Sequence, residues 1–180
     1  MCFQISSRSL SKPVFHFYFR QFMEYAHQMD AIDRRIITEL QRDATLSHAE
    51  LAQRVGSSPA SVWRRIKALE SAGILLGSVR LVDADRLGQC VNIFCEVRLR
   101  DYSTDCVAAF EQLVEDESKI IECFSISGDW DYLMRVVAAD VSDYERFLVR
   151  ILLKHRSVRS ASSHFALSVT KYKTALPVPD

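Results

Sequence analysis

The spacing of hydrophobic residues changes once along the chain, and the change divides the sequence into two parts. From Asp30 onwards apolar residues recur every three or four positions, as on one face of a helix. After Gly73 β-branched and apolar runs take over, and from Val91 every second residue is apolar, which is typical of a strand with one buried face. We therefore expect a helical unit followed by a unit built around a sheet.

The first part predicts three short helices. Ser47 and Glu50 form a capping box that begins the second helix, and Gly56, which tolerates the left-handed conformation, ends it. Ser58 followed by Pro59 indicates the beginning of the third helix, because proline at the first helical position loses no internal hydrogen bond. The apolar faces of the first and third helices are expected to consist of Ile32, Ile36, Ile37, Leu40, Val62, Ile66 and Leu69.

The second part predicts the order βαββαβ. A short hairpin or wing is expected first, over residues 74–76 and 79–82, around Gly77-Ser78. The elements after it are a strand over 91–99, a helix over 104–115, strands over 120–127 and 132–139, a helix that begins at a capping box over 142–145, and a last strand with Ala161, Phe165, Leu167 and Val169 on one face. This order is the ferredoxin-like arrangement of one antiparallel sheet with two helices on one face.

The predicted fold class is α+β, with an N-terminal winged helix-turn-helix and a C-terminal ferredoxin-like βαββαβ domain. We expect an N-terminal extension over residues 1–28, a helix-turn-helix domain over 29–77, a linker over 78–89, and the ferredoxin-like domain over 90–175. The extension is aromatic-rich without a clean period, and its charges argue against a secretory signal.

Composition narrows the class of protein. No stretch is long and apolar enough for a membrane span, so no membrane partner is expected. The cysteines are odd in number, five, and form no Cys-x-x-Cys pair, which favours reduced thiols in a cytoplasmic protein over disulfides or zinc. The five histidines are scattered, so neither a metal site, a cofactor nor a catalytic site is predicted, and we do not expect an enzyme. The net charge of zero neither supports nor excludes DNA binding.

The second and third helices have the spacing of a helix-turn-helix, which would place the third helix in the major groove of double-stranded DNA. Arginine there can donate two hydrogen bonds to guanine, and a helix N-terminus near phosphate is favoured by its partial positive charge. The predicted DNA-binding residues are Ser47, His48, Ser57, Ser58, Ser61, Arg64, Arg65 and Lys67. The alternative is a solvated basic face on a plain three-helix bundle. We expect Trp63 to pack against the small core rather than to contact DNA.

The sequence resembles the Lrp/AsnC (leucine-responsive, feast/famine) family of prokaryotic transcriptional regulators. The resemblance rests on residues 33–37, 51–56, 58–73 and 128–133 and extends from Met29 to Pro177. It implies a sequence-specific DNA-binding regulator that dimerises through its C-terminal unit and assembles further, for example into an octamer. It also implies an amino-acid effector in a cleft between neighbouring sensor domains.

The resemblance places that cleft near the turn at residues 128–131. An aspartate there can accept an α-ammonium group, and exposed amides can meet an α-carboxylate. The expected effector-binding residues are Ser127, Gly128, Asp129, Trp130, Asp131, Ser162 and Ser163. The simpler interpretation is a turn that needs a positive φ, with Asp131 capping a strand. A different class of function also remains open, a metabolite-binding oligomer that regulates an enzyme by protein contact.

Overall fold

The computed structural model describes residues 29–179. The predicted N-terminal extension, residues 1–28, lies outside the described residues, together with Cys2, His16 and His27. The contacts divide the chain into two compact units. Residues 80–171 form the second unit, while residues 29–79 and 172–179 belong to the first. This division differs from the predicted range of 90–175 for the C-terminal domain, because the last residues of the chain return to the helical unit.

The first unit contains the three expected helices, α1 (Ala31–Arg42), α2 (His48–Val55) and α3 (Pro59–Ser71). Ser47 and Glu50 form the predicted capping box of α2, and Gly56 ends that helix with a φ of 70°. Ser58 caps α3 ahead of Pro59, also as predicted. The helices close over a core of Ile36, Ile37, Leu51, Ala52, Val55, Val62, Ile66 and Leu69.

The predicted wing is wrong. Residues 74–82 contain no strand. Leu76 and Val79 are each 86% exposed, so this segment buries too little apolar surface to hold a hairpin by itself. The first unit is therefore a helix-turn-helix followed by an extended segment.

The second unit has the predicted βαββαβ order. Its elements are β1 (Val91–Leu99), α4 (Thr104–Asp116), β2 (Ile120–Ser125), β3 (Tyr132–Ala138), α5 (Val141–Phe147) and β4 (Val158–Phe165). The strands pair antiparallel in the order β2-β3-β1-β4, with β1 between β3 and β4. The last strand ends at Phe165, four residues before the predicted Val169, and Leu167 beyond it is 98% exposed.

The core of the second unit lies between the sheet and its two helices. Ile93, Cys95 and Val97 of β1 point toward Phe110 of α4 and Phe147 of α5, in one cluster of buried residues. The opposite face of the sheet, which we call the open face, carries the alternate strand residues. These are Asn92, Phe94, Glu96, Arg98, Glu122, Phe124, Leu133, Arg135, Val137, Ser160, Ser162 and His164.

The second helix of this unit differs in detail from the prediction. Its N-cap is Asp140, whose carboxylate accepts from the Asp143 amide at 2.7 Å, and not Ser142 as the capping-box pattern indicated. After Phe147 the helix widens into a π-helical turn over Leu148–Leu152, closed by a bond from the Leu153 amide to the Leu148 carbonyl. Ile151, within this π-helical turn, is 37% exposed.

None of the helices described between residues 29 and 179 is long and apolar enough to cross a membrane.

Candidate functional site

The exposed face of α3 presents the guanidinium of Arg64. Val62, Ile66 and Leu69 face the core, so Arg64 projects from the opposite side of the helix, where it is exposed. Within residues 29–179 no carboxylate lies within 4.0 Å of its guanidinium. Arg64 is therefore free to donate hydrogen bonds to a base edge or a phosphate.

Arg65, the neighbouring arginine, is held inside the first unit. Its Nη1 lies 2.8 Å from a carboxylate oxygen of Asp33 and 2.8 Å from one of Asp30, the N-cap of α1. The hydrogen bond to Asp33, followed by that to Asp30, raises the pKa of the guanidinium. The Arg65 side chain is 24% exposed. These ion pairs connect α3 to the beginning of α1. In this arrangement Arg65 has a structural role, whereas the sequence predicts a DNA contact.

Lys67 and Trp63 complete the outer side of α3. Lys67 is exposed and pairs with Glu70 at 2.7 Å, a surface pair of little energetic consequence that can open toward a phosphate. The expectation that Trp63 packs in the core is wrong, since its side chain is 52% exposed. The core of three short helices is already filled by small aliphatic side chains, and the indole is left on the flank of α3.

The predicted serines lie at helix beginnings. The Ser47 hydroxyl accepts from the Glu50 amide at 3.2 Å and donates to the Glu50 carboxylate at 2.7 Å. The Ser58 hydroxyl accepts from the Ser61 amide at 3.3 Å. Ser47 and Ser58 thus cap α2 and α3, while Ser57 lies in the turn between those helices and His48 is exposed on the first turn of α2. The N-termini of both helices carry the partial positive charge that favours phosphate.

In the second unit, the turn between β2 and β3 has an open backbone. Gly128 adopts a φ of 118°, a region that side-chain-bearing residues avoid. No hydrogen bond among the described residues uses the amides of residues 127–130. The Asp129 carboxylate likewise has no ion-pair or hydrogen-bond partner within residues 29–179. These amides can donate to a carboxylate, and the Asp129 carboxylate can accept from an ammonium group, so the turn can bind both charged groups of a zwitterion.

Arg98 of β1 contacts the backbone and a side chain of this turn. Its Nε donates to the Asp129 carbonyl at 2.9 Å, and its Nη2 donates to the same oxygen. Its guanidinium also lies over the Trp130 ring, 5.1 Å from the ring centroid. Sequence reasoning missed Arg98, because nothing local shows that β1 runs beside this turn.

The two aspartates of the turn have different surroundings. Asp131 accepts a hydrogen bond from the Leu99 amide at 2.7 Å through one carboxylate oxygen and from the Tyr102 hydroxyl at 2.6 Å through the other. That carboxylate, first through the hydrogen bond and then through its charge, raises the pKa of Tyr102. Asp131 thus joins the end of β1 to the turn, as the simpler interpretation expected of a strand cap.

The two predicted serines of β4 lie on opposite sides of the sheet. Ser163 points toward the helices, where its hydroxyl lies 2.6 Å from that of the buried Tyr144. Ser162 is on the open face, 3.3 Å from His164 Nε2, which in turn lies 3.2 Å from Glu96. Adjacent strand residues alternate in direction, so within one copy these serines do not line a common cleft.

A helix-turn-helix whose third helix presents an exposed arginine, followed by a ferredoxin-like unit with exposed apolar side chains on its open face, is typical of DNA-binding regulators with a separate C-terminal domain. Comparison with family models specifies the family. Residues 29–70 match the AsnC-type helix-turn-helix domain and residues 92–176 match the Lrp/AsnC ligand binding domain. The chain belongs to the Lrp/AsnC family of transcriptional regulators.

Two curated relatives agree with this assignment. The chain is 33% identical over 153 residues to the glutamate uptake regulatory protein of Zymomonas mobilis subsp. mobilis, an alignment that covers 85% of this chain and 93% of the relative. It is also 33% identical over 150 residues to the DNA-binding transcriptional activator DecR of Escherichia coli, covering 83% and 99% of the two chains.

Solved structures share the architecture. A transcriptional regulator from Neisseria meningitidis, crystallised as a complex with L-Met, superimposes with a TM-score of 0.81 at 31% identity, covering 83% of this chain and 97% of that one. An AsnC family regulator from Agrobacterium tumefaciens gives a TM-score of 0.78 at 38% identity, with the same coverages of 83% and 97%. Both predicted units are therefore found together in regulators of known structure.

Proposed function

We propose that this protein regulates transcription by inserting α3 into the major groove of operator DNA, with Arg64 as the residue that reads a base. The observation that carries the proposal is the contrast between adjacent arginines. Arg65 pairs with two carboxylates, whereas Arg64 has no carboxylate partner within residues 29–179 and lies opposite the core. The beginnings of α2 and α3, with Ser47, His48 and Ser58, are suited to neighbouring phosphates.

Recognition by one helix-turn-helix gives few contacts, so tight binding requires more than one copy of the chain. The open face of the second unit offers a surface for association, because Phe94 is 40% and Phe124 55% exposed on it. On the same face Arg135 pairs with Glu122 at 2.8 Å, and His164 lies beside Glu96. Apolar side chains among ion pairs suit an interface between two copies, and further assembly of such dimers gives the larger oligomer expected of the family.

We further propose that an α-amino acid is the effector and that it binds at the turn over residues 127–131. The Neisseria relative, crystallised with L-Met, shows that a protein of this architecture takes an amino acid. The free Asp129 carboxylate is placed to accept the α-ammonium group, and the free amides of residues 127–130 to donate to the α-carboxylate. A neighbouring copy closes the cleft. A regulator of this kind works where chromosomal DNA is, in the cytoplasm.

A thermal-shift screen of the twenty amino acids tests the effector proposal, because a ligand that prefers the folded state raises the melting temperature. We expect a small set of amino acids to raise Tm by several degrees at millimolar concentration. Asp129→Asn should abolish the shift without lowering the Tm of the ligand-free protein. A screen in which no amino acid shifts Tm, or in which Asp129→Asn responds like the unaltered protein, would contradict the proposal.

A further inference from the structure

The outer side of α1 binds the end of the chain. The Gln41 side chain brackets the backbone of one tail residue: its Nε2 donates to the Leu176 carbonyl at 3.0 Å, and its Oε1 accepts from the Leu176 amide at 2.7 Å. These residues are 135 positions apart in sequence. Because the Gln41 side chain bonds to both the amide and the carbonyl of one residue, it binds an extended peptide much as a neighbouring strand would.

Two residues further on, the tail contributes to the core of the first unit. Val178 packs against the buried cluster of the three helices, beside partly buried residues that include Leu40, Leu46 and Leu75. Within residues 171–179 it is the one residue that is partly buried, while the others are exposed. Pro177 and Pro179 flank it and fix its neighbours in extended conformations, which lowers the entropy lost when the tail docks.

We infer that the side of α1 around Gln41 is a docking groove for the C-terminal segment 176–178, and that the docked tail is a strap that braces the DNA-binding helices. The chain leaves the first unit after Val79 and returns to it at Tyr172, so the second unit is connected to the DNA-binding unit at both of its ends.

The strap acts on DNA binding through α1. Gln41 lies at the C-terminal end of that helix, and Asp30 and Asp33 at its beginning hold Arg65 of α3. Val178 also contacts the cluster to which α3 contributes Val62, Ile66 and Leu69. A tail that leaves the groove therefore loosens both contacts that orient α3. This regulatory part of the inference rests on the proposed function, whereas the docking part does not.

The test compares two substitutions in the same tail of the full-length protein. Val178→Asp places a charge in the groove, and Ala175→Asp, the matched control, places the same charge on an exposed residue just before the docked segment. Gln41→Ala removes the two backbone contacts. Hydrogen exchange followed by mass spectrometry reports on peptides from α1 and α3, with peptides from β1 as an internal reference. Fluorescence anisotropy with an operator fragment reports on DNA affinity.

We expect Val178→Asp to increase exchange in α1 by roughly three- to tenfold and to weaken operator binding by a similar factor, because a buried charge expels the tail. Gln41→Ala should have a smaller effect in the same direction, and Ala175→Asp should match the unaltered protein. Equal exchange in Val178→Asp and Ala175→Asp would overturn the docking inference. Increased exchange with unchanged DNA affinity would overturn the bracing role. If even the unaltered protein bound no DNA, the proposed function would fail, while the exchange difference would still support docking.

Discussion

The two units differ in how much of a functional surface one copy of the chain contains. In the first unit, the helices bury their apolar residues and leave Arg64, His48 and the beginnings of two helices exposed, so the surface proposed to bind DNA is present in a single copy. In the second unit, Phe94 and Phe124 remain partly exposed on the open face, and the amides of residues 127–130 have no hydrogen-bond partner within residues 29–179. We therefore propose that one copy carries a complete base-reading helix, whereas tight DNA binding and sensing need more than one copy.

The largest effect should follow from a charge on the open face. Phe94→Asp would bury an unpaired carboxylate in each interface, at a cost of several kcal/mol, and should shift the protein from an oligomer toward monomers. Size-exclusion chromatography with light scattering measures the change. Ala108→Asp, which adds the same charge on the exposed side of α4, is the control. An unchanged mass for Phe94→Asp would show that the open face is not the interface.

The next largest effect separates the two arginines of α3. Arg64→Ala should weaken operator binding by about 1–3 kcal/mol for each copy that reads a base, without loss of stability. Arg65→Ala should instead lower the free energy of unfolding, because it leaves Asp33, whose side chain is 15% exposed, without its cation. Anisotropy titrations and urea unfolding on both variants measure the two quantities. The assignment fails if Arg65→Ala is stable and Arg64→Ala is not.

A smaller effect distinguishes the two aspartates of the turn. Asp131→Asn should destabilise the protein by about 1–2 kcal/mol, because an amide cannot accept from both the Leu99 amide and the Tyr102 hydroxyl as the carboxylate does. Asp129→Asn should leave unfolding unchanged. Urea unfolding of both variants without any amino acid provides the measurement. Equal midpoints would mean that the contacts of Asp131 contribute nothing to the second unit.

The smallest effect is a difference in alkaline stability. Burial raises the pKa of the Cys123 thiol to about 11 and that of the Tyr132 phenol to about 12. In the unfolded chain these groups ionise near their ordinary values of 9.0 and 10.0, so the unfolded state loses protons first as pH rises. Stability present below pH 9 is therefore lost progressively as the pH rises toward the folded values.

This loss should arise in the second unit, because Cys123 and Tyr132 both belong to it. The free energies of unfolding from urea titrations at pH 7 and pH 10 should differ by an amount on the order of 1 kcal/mol in the unaltered protein and by less in Cys123→Ala. The same pH dependence in both proteins would refute the role assigned to Cys123.

Local patterns made much of this fold predictable. The capping box of Ser47 and Glu50 lies within four residues, and the alternation in β1 reports directly on burial, so both were correct from sequence. The predicted wing is absent because its residues have β-branched character but no strand partner within residues 29–179. The capping-box pattern predicted Ser142 as the N-cap, whereas the structure has Asp140, because β3 ends at Ala138 and the helix begins directly after it.

The candidate sites were less predictable because they depend on contacts between distant residues. Sequence alone gives Arg64 and Arg65 the same chemistry, and the distinction comes from Asp30 and Asp33, some thirty positions earlier. The contact of Arg98 with the turn and the return of Val178 to the first core likewise join segments that share no local pattern. The sequence analysis placed Ser162 and Ser163 in the same cleft. Within one copy they point to opposite faces of the sheet, because they are adjacent residues of a strand.

Selection of binding sites from random double-stranded DNA by the full-length protein tests the central claim most directly. The account predicts enrichment of a two-fold symmetric sequence whose half-sites lie about one helical turn apart. It also predicts that Arg64→Ala relaxes the preference at one position in each half-site, whereas Trp63→Phe retains the motif. Failure of the unaltered protein to enrich any sequence, or an identical motif from Arg64→Ala, would contradict the account.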